Sequence, residues 1–402
     1  MVDALYSLVD VNERLNQLVF DPFNISNLDM TMKSSSDDTS SISDQVLDRI
    51  CKNVLPQIHR HVNKLIVEPH SLKYILRNFN TYPQLFSLSF NNFQEKILYQ
   101  YLTVDSNLHH LLTEQITHLS VRIQNEIIAT FFETLSDVFV LMLSSCKRLV
   151  SLDVFQLFPD QMWSSNIFAF PSTSFTSLIL TQLKINVKTF HACLYLLDRH
   201  LPILSALIIN VLKISCALSN IDKMKKLPKL KYFSLTSLDY TCNYDDEIIP
   251  LLHRMINLEE LMSYLAIIRV DLPYIDGAHL YEDIQIHMPR LNKLTFSINT
   301  AVVKINISIN FPSNEDIQRS FIERGYQQVG SYVDSTVTEG EGRCHVYSLP
   351  YQFETFLHLN NSFQGGMFNK VRHVTMTDDR PFEHKFFKII SQDFPFLTTL
   401  SI

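Results

Sequence analysis

A short apolar pattern recurs along most of this chain and constrains its fold more than any other feature. The pattern is apolar-x-x-apolar-x-apolar, with mostly polar residues at the intervening positions, as in Leu204-Leu207-Ile209. Twelve copies begin at Ile25, Val62, Leu85, Ile116, Leu149, Phe175, Leu204, Leu230, Leu258, Leu291, Val371 and Leu397. Apart from one gap of 80 residues, consecutive copies begin 23 to 37 residues apart, which is typical of repeat architectures.

Proline supports the repeat because it recurs at a fixed position relative to the first apolar residue. Five copies carry it two residues before the first apolar position, at Pro83, Pro202, Pro228, Pro289 and Pro395. With 15 prolines in 402 residues, twelve fixed positions would collect about half of one by chance. Proline lacks an amide hydrogen, so we expect it to end a helix and start an extended segment.

The pattern predicts strand–helix units. Helical patterns precede several copies, for example at 187–200, 247–256, 280–287 and 382–394. Side chains alternate along a strand, so the second and third apolar residues of each copy point inward. One such unit cannot bury its apolar face alone. We therefore expect an α/β solenoid with parallel strands on one face and helices on the other.

This pattern resembles the leucine-rich-repeat proteins, especially the long, irregular repeats found in F-box proteins. The L-x-x-L-x-L core matches over most of residues 25–402. The asparagine that follows it in the family is mostly replaced, for example by Leu183, Leu212 and Leu238, and Asn299 is the one match. The resemblance therefore implies an irregular stack.

The N-terminus carries a second resemblance. Residues 3–18 resemble the last two helices of an F-box, with Leu5, Leu8, Leu15 and Leu18 among the matching apolar positions. The resemblance implies that these leucines face the adaptor of cullin-type ubiquitin ligases. The first F-box segment would precede Met1, so we expect a truncated or degenerate F-box. The alternative is a short amphipathic helix that caps the first repeat.

These patterns predict the domain organisation. Residues 1–24 form the helical cap and residues 25–402 form the solenoid. Within the solenoid, the Ser- and Asp-rich segment 33–44 is expected to be a flexible loop, because it has little apolar surface to bury. Segment 301–370 lacks a proline-primed copy, and we interpret it as an inserted antiparallel hairpin or as degenerate repeats.

Composition excludes several classes of function. The formal charge of −7 argues against a nucleic-acid binder, which needs a cationic surface. The N-terminus lacks the pattern of a signal peptide, and no apolar run approaches 18 residues, so we expect a cytoplasmic or nuclear protein that does not bind membranes. The first of only seven glycines is Gly277, so residues 1–276 hold no glycine-rich phosphate loop.

No set of side chains predicts catalysis or a cofactor. On a strand, His59 and His61 would share a face, but no carboxylate or cysteine stands at ligand spacing beside them. Cys344 and His345 are adjacent, so on a strand they would point to opposite faces and could not activate each other. We therefore expect no catalytic residues, no metal and no cofactor, and a protein that is not an enzyme.

A protein-binding surface is the function that remains. In a leucine-rich stack, the third and fifth repeat positions point to the concave surface. The residues that we expect to bind a protein there are Ser87, His118, Ser151, Asp153, Tyr232, Glu260, Lys293 and His373. The leading hypothesis is a substrate-recognition receptor of a cullin-type ubiquitin ligase. The alternative is an interaction scaffold with no link to a ligase.

Overall fold

The computed structural model shows an α/β chain with a mostly parallel sheet of twelve strands, together with helices. The α/β class and the mostly parallel strands predicted from the sequence are thereby confirmed. The structure describes residues 7, 11–14, 17, 20–21, 25–31, 42–78, 82–123, 132–154, 177–215, 225–303, 311–326, 328–334, 341–363, 365–378 and 380–401. The chain divides into two compact units, one of residues 1–188 and 199–204, the other of residues 189–198 and 205–402.

In the first unit, six strands pair in chain order, each parallel to the next. They are β1 (Asn27–Met30), β2 (Lys64–Val67), β3 (Ser87–Phe93), β4 (His118–Ile123), β5 (Ser151–Val154) and β6 (Gln182–Thr189). The second apolar position of every repeat falls into one row of the register, formed by Leu28, Leu65, Leu88, Leu119, Leu152 and Leu183. None of these six side chains is more than 3% exposed, so stacking removes from water the face that a single repeat would expose.

Helices connect the strands. They are α1 (Asp44–Arg49), α2 (Leu55–Ile58), α3 (Pro69–Asn78), α4 (Glu95–Val104), α5 (Ser106–Glu114), α6 (Phe132–Ser145), α7 (Phe190–Tyr195), α8 (Ile249–Leu252), α9 (Gly277–Asp283), α10 (Asn314–Glu323) and α11 (His384–Asp393). Short π-helical segments lie at Ile50–Val54, Leu196–His200 and Tyr244–Ile248, and 3₁₀ turns at His59–His61 and Gln285–His287. No helix in these described ranges is long and apolar enough to cross a membrane.

A ladder of backbone hydrogen bonds sets where the strands begin. The carbonyl of Asn63 accepts from the amides of Phe86 and Ser87, at 3.0 and 3.2 Å. Carbonyls that accept two amides of a later repeat in the same way belong to Ser26, Phe86, Thr117, Val150, Ser205, Lys231, Glu259, Glu354 and Arg372. Because only backbone groups take part, this ladder needs no particular side chain.

The repeated prolines lie in turns that precede the strands. The amide of Leu85 donates to the carbonyl of Tyr82 at 3.2 Å, so Pro83 is the second residue of a four-residue turn. Proline favours this position because its fixed φ suits it. Equivalent turns enclose the other four prolines, and Cys146, Met255 and Phe368 accept in turns of the same kind that lack proline. The residue that accepts is therefore a further repeat position, and Tyr82 there is fully buried.

The predicted copy that begins at Phe175 is wrong. Phe175 lies outside the described residues, and Leu178 is 69% exposed and belongs to no strand. The next strand begins at Gln182, where pairing with β5 sets Leu183 opposite Leu152. The buried triplet is therefore Leu180-Leu183-Ile185. Two overlapping apolar triplets occur in this segment, and only pairing with the neighbouring strand decides between them.

The second unit holds six further strands of the sheet. They are β7 (Ala206–Lys213), β8 (Tyr232–Thr241), β9 (Glu260–Val270), β10 (Lys293–Val303), β11 (Val329–Asp334) and β12 (Glu341–Ser348). Strands β7 to β10 pair in chain order and in parallel, whereas β12 pairs antiparallel with both β10 and β11. Segment 301–370, expected to be an insertion or degenerate repeats, thus contains an antiparallel hairpin, β11–β12.

A second, three-stranded parallel sheet follows in the same unit, formed by β13 (Thr355–Leu359), β14 (His373–Met376) and β15 (Thr399–Ser401). Strand β13 is a parallel strand that the apolar triplet pattern did not predict. Phe356 pairs with Val374, but an irregularity in the register sets Leu359 opposite Met376. His358 sits in this irregularity with a φ of 55°. The extra residue breaks the apolar spacing.

An aromatic cluster forms the core around this second sheet. Phe356 is its most connected member and is fully buried. Its ring centroid lies 4.8 Å from His345, 5.1 Å from Phe368 and 5.2 Å from Tyr351. Tyr264 of β9 belongs to the same cluster, so the cluster joins the three-stranded sheet to the larger one.

Two predicted segments lie mostly or wholly outside the described residues. The four cap leucines, Leu5, Leu8, Leu15 and Leu18, are all outside them, as are residues 33–41 of the predicted loop. The described end of that loop differs from the prediction, because Ile42 is 2% exposed and Asp44 already begins α1. Burial of the apolar Ile42 is favourable, which accounts for its position next to the start of α1.

Replacing Phe356 tests the aromatic cluster. Phe356→Ala removes a fully buried ring, and we expect it to lower the free energy of unfolding by about 3–5 kcal/mol, measured by urea denaturation. Phe387→Ala is the matched control, because Phe387 is 43% exposed, and its loss should stay within about 0.5 kcal/mol. Equal losses in the two variants would contradict the role given to the cluster.

Candidate functional site

The register aligns the predicted binding residues of the first unit. At the third repeat position, Ser87 lies opposite His118, and His118 lies opposite Ser151. Asp153 occupies the fifth position of β5, where Ser120 and Lys184 flank it. Ser87, Ser151 and Asp153 are half-buried and His118 is exposed. These four residues therefore lie on the strand face opposite the buried triplets.

Local contacts hold this surface in place. His118 Nδ1 lies 2.8 Å from Thr117 Oγ1, and the imidazole meets the edge of Phe86 at a centroid distance of 5.6 Å. Phe86 is itself 37% exposed, which makes it an apolar contact at the edge of the row. Asp153 forms an ion pair with Lys184 of the next strand at 4.0 Å. Both side chains are about one-third exposed, so solvent screens this pair.

Three predicted residues form an equivalent row in the second unit. Tyr232 lies opposite Glu260, and Glu260 lies opposite Lys293. Lys293 Nζ is 3.0 Å from Glu260 Oε2, with both side chains exposed. A second ion pair, between Lys231 and Glu259 at 2.9 Å, runs beside the first. Charged rims of this kind are typical of protein interfaces.

Tyr232 is the aromatic centre of this row. Its hydroxyl donates to Met262 Sδ at 3.9 Å, a weak bond that positions the ring across two strands. The register places Ala206 beside Tyr232, and Ile208 lies two residues farther along β7. Burial, and then the nearby Glu260 carboxylate, raise the pKa of Tyr232, so the phenol remains a neutral donor at physiological pH. We call Ala206, Ile208, Tyr232 and Met262 the Tyr232 patch.

His373 does not join either row. It lies on β14 of the three-stranded sheet, between Thr355 and Thr399 in register, and is half-buried. The structure therefore distributes the eight predicted residues as four, three and one. The apolar triplet pattern assigned each residue to a strand face, but it did not predict that His373 lies in a second sheet.

The same strand face is buried farther along β9 and β10. Tyr264 is 2% exposed and donates to the carbonyl of Thr355 at 3.1 Å, and Ser297 Oγ lies 3.1 Å from the Tyr351 hydroxyl. The three-stranded sheet therefore covers this part of the face. The sequence did not predict this cover. The triplet pattern gives the direction of a side chain from its strand, but it does not show what packs against that face.

A polar cleft lies within the second unit where this cover ends. It is small, and its lining includes Tyr240, Asn299, Arg343, His345 and His358. Burial lowers the pKa of His345 to about 3, and burial with the nearby Arg343 guanidinium lowers the pKa of His358 to about 4. Both imidazoles are therefore neutral at physiological pH.

Asn299 does not take the ladder position that the leucine-rich-repeat resemblance implies. By spacing it matches the asparagine of the leucine-rich-repeat ladder, but in the structure it lies opposite His345 and lines the cleft. The backbone carbonyl ladder supplies the connections between repeats instead. The side chain of Asn299 is thereby available for another role.

Neither the His59 and His61 pair nor the adjacent Cys344 and His345 is arranged to bind a metal ion. His59 and His61 lie in a 3₁₀ turn, not on a strand, and His59 Nδ1 lies 3.2 Å from the carbonyl oxygen of Leu55. Burial raises the pKa of the Cys344 thiol, while His345 Nε2 lies 2.9 Å from Ser297 Oγ. Across the ranges that the structure describes, no group of three His, Cys, Asp or Glu side chains is placed to hold a metal ion.

His345→Gln tests the buried imidazole. The pKa of His345 is about 3 in the folded chain, against an ordinary value of 6.5. As the pH falls through this range, the unfolded chain binds a proton that the folded chain does not, so stability is lost by up to about 1.4 kcal/mol per pH unit. We expect the free energy of unfolding, from urea titrations, to fall less steeply below about pH 6.5 in the variant than in the unsubstituted chain.

The same variant supplies its own control. At about pH 8 the imidazole is neutral in both states, so any difference there measures the packing cost of the substitution alone. Parallel stability curves from about pH 6.5 to 4 would show that His345 does not resist protonation in the folded chain.

Comparison with models of known protein families and with curated proteins found no match to this chain.

Proposed function

We propose that this chain is an irregular, leucine-rich-repeat-like solenoid that binds another protein through the Tyr232 patch. Three features support the solenoid: parallel strands paired in chain order, aligned buried triplets and the repeated carbonyl ladder. Each is a property of stacked repeats, in which one unit covers the apolar face of its neighbour.

The Tyr232 patch carries the binding proposal. Tyr232 is half-buried, its hydroxyl donates to Met262 Sδ, and Ala206 is its partner in the register, so the ring is held in place while part of it remains accessible. Interface hot spots are rich in tyrosine and lie within a polar rim. The Glu260–Lys293 ion pair provides such a rim on the neighbouring strands.

The ligase role is a further part of the proposal and rests on the F-box resemblance of residues 3–18. In it, the segment with Leu5, Leu8, Leu15 and Leu18 contacts the cullin adaptor, and the strand face selects the protein to be ubiquitinated. The alternative is a scaffold that binds its partner through the same face without an adaptor. Neither version assigns a catalytic residue or a cofactor to the chain.

Tyr232→Ala tests the binding surface. Loss of a central tyrosine typically costs at least about 2 kcal/mol, so we expect binding to weaken by roughly thirtyfold or more. The measurement is quantitative capture of proteins from cell extract, followed by titration of each captured protein. Tyr99→Ala is the matched control, because Tyr99 is 40% exposed on α4 and lies outside the patch. Equal capture by both variants would exclude the patch as the binding surface.

Adaptor binding separates the ligase receptor from the scaffold. The family's first F-box segment supplies much of the adaptor contact, so we expect the 402-residue chain to bind the adaptor weakly or not at all. A version extended upstream, where the gene encodes such a helix, should bind it in a pull-down. Lack of binding by both versions would favour the scaffold, and tight binding by the shorter one would show that the upstream helix is not needed.

A further inference from the structure

The parallel order of the larger sheet stops at one side of β10. Strand β9 pairs with one side of β10 along its whole length, whereas β12 pairs with the other side only from Ser297 onward. Ser348 Oγ ends that pairing, because it accepts from the amide of Phe296 at 3.0 Å and lies 3.3 Å from the carbonyl oxygen of the same residue. In the part of the chain that the structure describes, no strand pairs with residues 292–295 on this side. We call these residues the β10 edge.

Three backbone groups of the β10 edge lack a hydrogen-bond partner. The amide of Lys293 donates to the Glu259 carbonyl, and consecutive residues of a strand direct their backbone groups to opposite sides. The amide and the carbonyl of Leu294 therefore point away from β9. Among the described residues, no hydrogen bond reaches either group, and none reaches the carbonyl of Asn292. Such a row of groups is a template for one more strand.

The apolar residues beside this edge are incompletely covered. Leu291 and Leu294 are the first and second apolar positions of their repeat copy, and both are partly exposed. Their equivalents one copy earlier, Leu258 and Leu261, are 0% and 1% exposed. Stacked repeats cover such positions with the repeat that follows, so the exposure at β10 marks the place where a following strand is missing.

The carbonyl ladder gives the direction of the strand that fits. The carbonyl of Glu259, just before β9, accepts two amides of the parallel strand that follows. The carbonyl of Asn292 holds the same position just before β10. A strand that continues the ladder therefore runs parallel to β10. It places two amides on the Asn292 carbonyl and accepts the amide of Leu294.

Charge at the edge favours an acidic partner. Lys293 is the last side chain in the row that contains Tyr232 and Glu260, and it is 63% exposed with Nζ 3.0 Å from Glu260 Oε2. An ammonium group has three donors, so Lys293 can bind a second carboxylate on the side away from β9. A second copy of this chain would instead bring another Lys293 to the edge, and exposed lysines oppose the pairing of edges.

We propose that the β10 edge binds an extended segment of a partner protein as an added parallel strand, with an acidic residue beside Lys293 and an apolar residue beside Leu294. This inference rests on the proposed protein-binding function and names the kind of segment that the partner presents. Main-chain hydrogen bonds give strand addition its affinity, and the side chains at alternate positions give it specificity. The edge continues the row of Tyr232 and Glu260, so one partner can contact both.

A peptide with the pattern of the repeat is the probe. It has the sequence of residues 256–263, INLEELMS, and carries fluorescein for measurements of fluorescence anisotropy with the full chain. Within the fold, Glu260 and Leu261 of this segment pair in parallel register with Lys293 and Leu294. The peptide therefore supplies an acidic and an apolar residue at the required positions, and we expect saturable binding.

Methylation of single peptide amides tests the parallel strand directly. In the proposed register, the peptide amides at the positions of Glu260 and Met262 donate to the carbonyls of Asn292 and Leu294. N-methylation of either amide should weaken binding by at least about tenfold. N-methylation at the position of Leu261 is the matched control, because that amide points to the opposite side and its loss should leave the affinity unchanged. The reverse pattern would overturn parallel addition.

Reversal of the charge at the edge tests the acidic position. Lys293→Glu should weaken peptide binding by about fivefold, since it sets a carboxylate beside the acidic residue of the peptide. Lys231→Glu is the matched control, because Lys231 is 62% exposed and ion-paired with Glu259 but lies beside β8, two strands from the edge. Its effect should stay within about twofold. Unfolding midpoints establish that both variants are folded.

The remaining outcomes separate this inference from the proposed function. Absence of saturable peptide binding would overturn the inference, as would equal binding of all methylated peptides. Self-association of the chain that the peptide inhibits, measured by sedimentation, would assign the edge to a second copy instead. Tyr232→Ala should leave peptide binding within about twofold, because it removes no group of the edge. Loss of protein capture by that variant, together with failure of the peptide, would refute the edge and leave the Tyr232 patch supported.

Discussion

The repeats of this chain depend on one backbone interaction, the carbonyl that accepts two amides of a later repeat just before a strand begins. Strand lengths vary from three residues in β15 to eleven in β9, yet the ladder gives them a common starting register. A slip of one residue would exchange the buried and exposed faces of a strand. The ladder thereby determines that Leu88 faces the core while Ser87 lies on the opposite face.

The three-stranded sheet then divides that opposite face into two parts. Near the ladder, Tyr232 and Lys293 remain accessible, whereas Tyr264 of β9 and Ser297 of β10 are buried and contact Thr355 and Tyr351. Burial of the aromatic rings accounts for the cover, since each ring brings a large apolar area out of water. The accessible part of this face therefore lies near the ladder.

Sequence reasoning succeeded where a feature is local. The triplet at Leu204 and the end of the helical segment before Pro202 could be predicted, because spacing and backbone restriction belong to a few consecutive residues. It failed at Phe175, where two triplets overlap, and at β13, where the irregularity at His358 adds a residue to the spacing.

The cleft could not be predicted from sequence at all. Tyr240 and His358 are 118 residues apart, and nothing in either segment indicates the other. The eight residues predicted to bind a protein all lie on strands, but their exposure depends on packing that no local sequence pattern predicts. Non-local contacts therefore account for both the missed cover and the missed cleft.

The stacking of strands also gives the rows a fixed spacing. Neighbouring strands lie about 4.8 Å apart, so Ser87, His118 and Ser151 present their side chains at about that interval. One turn of an α-helix advances about 5.4 Å, a mismatch of about 0.6 Å per strand. Alternate residues of an extended peptide advance about 6.8 Å, a mismatch of about 2 Å. A helix bound along the row can therefore align its successive turns with several strands. An extended peptide is out of register with the strands after two of them.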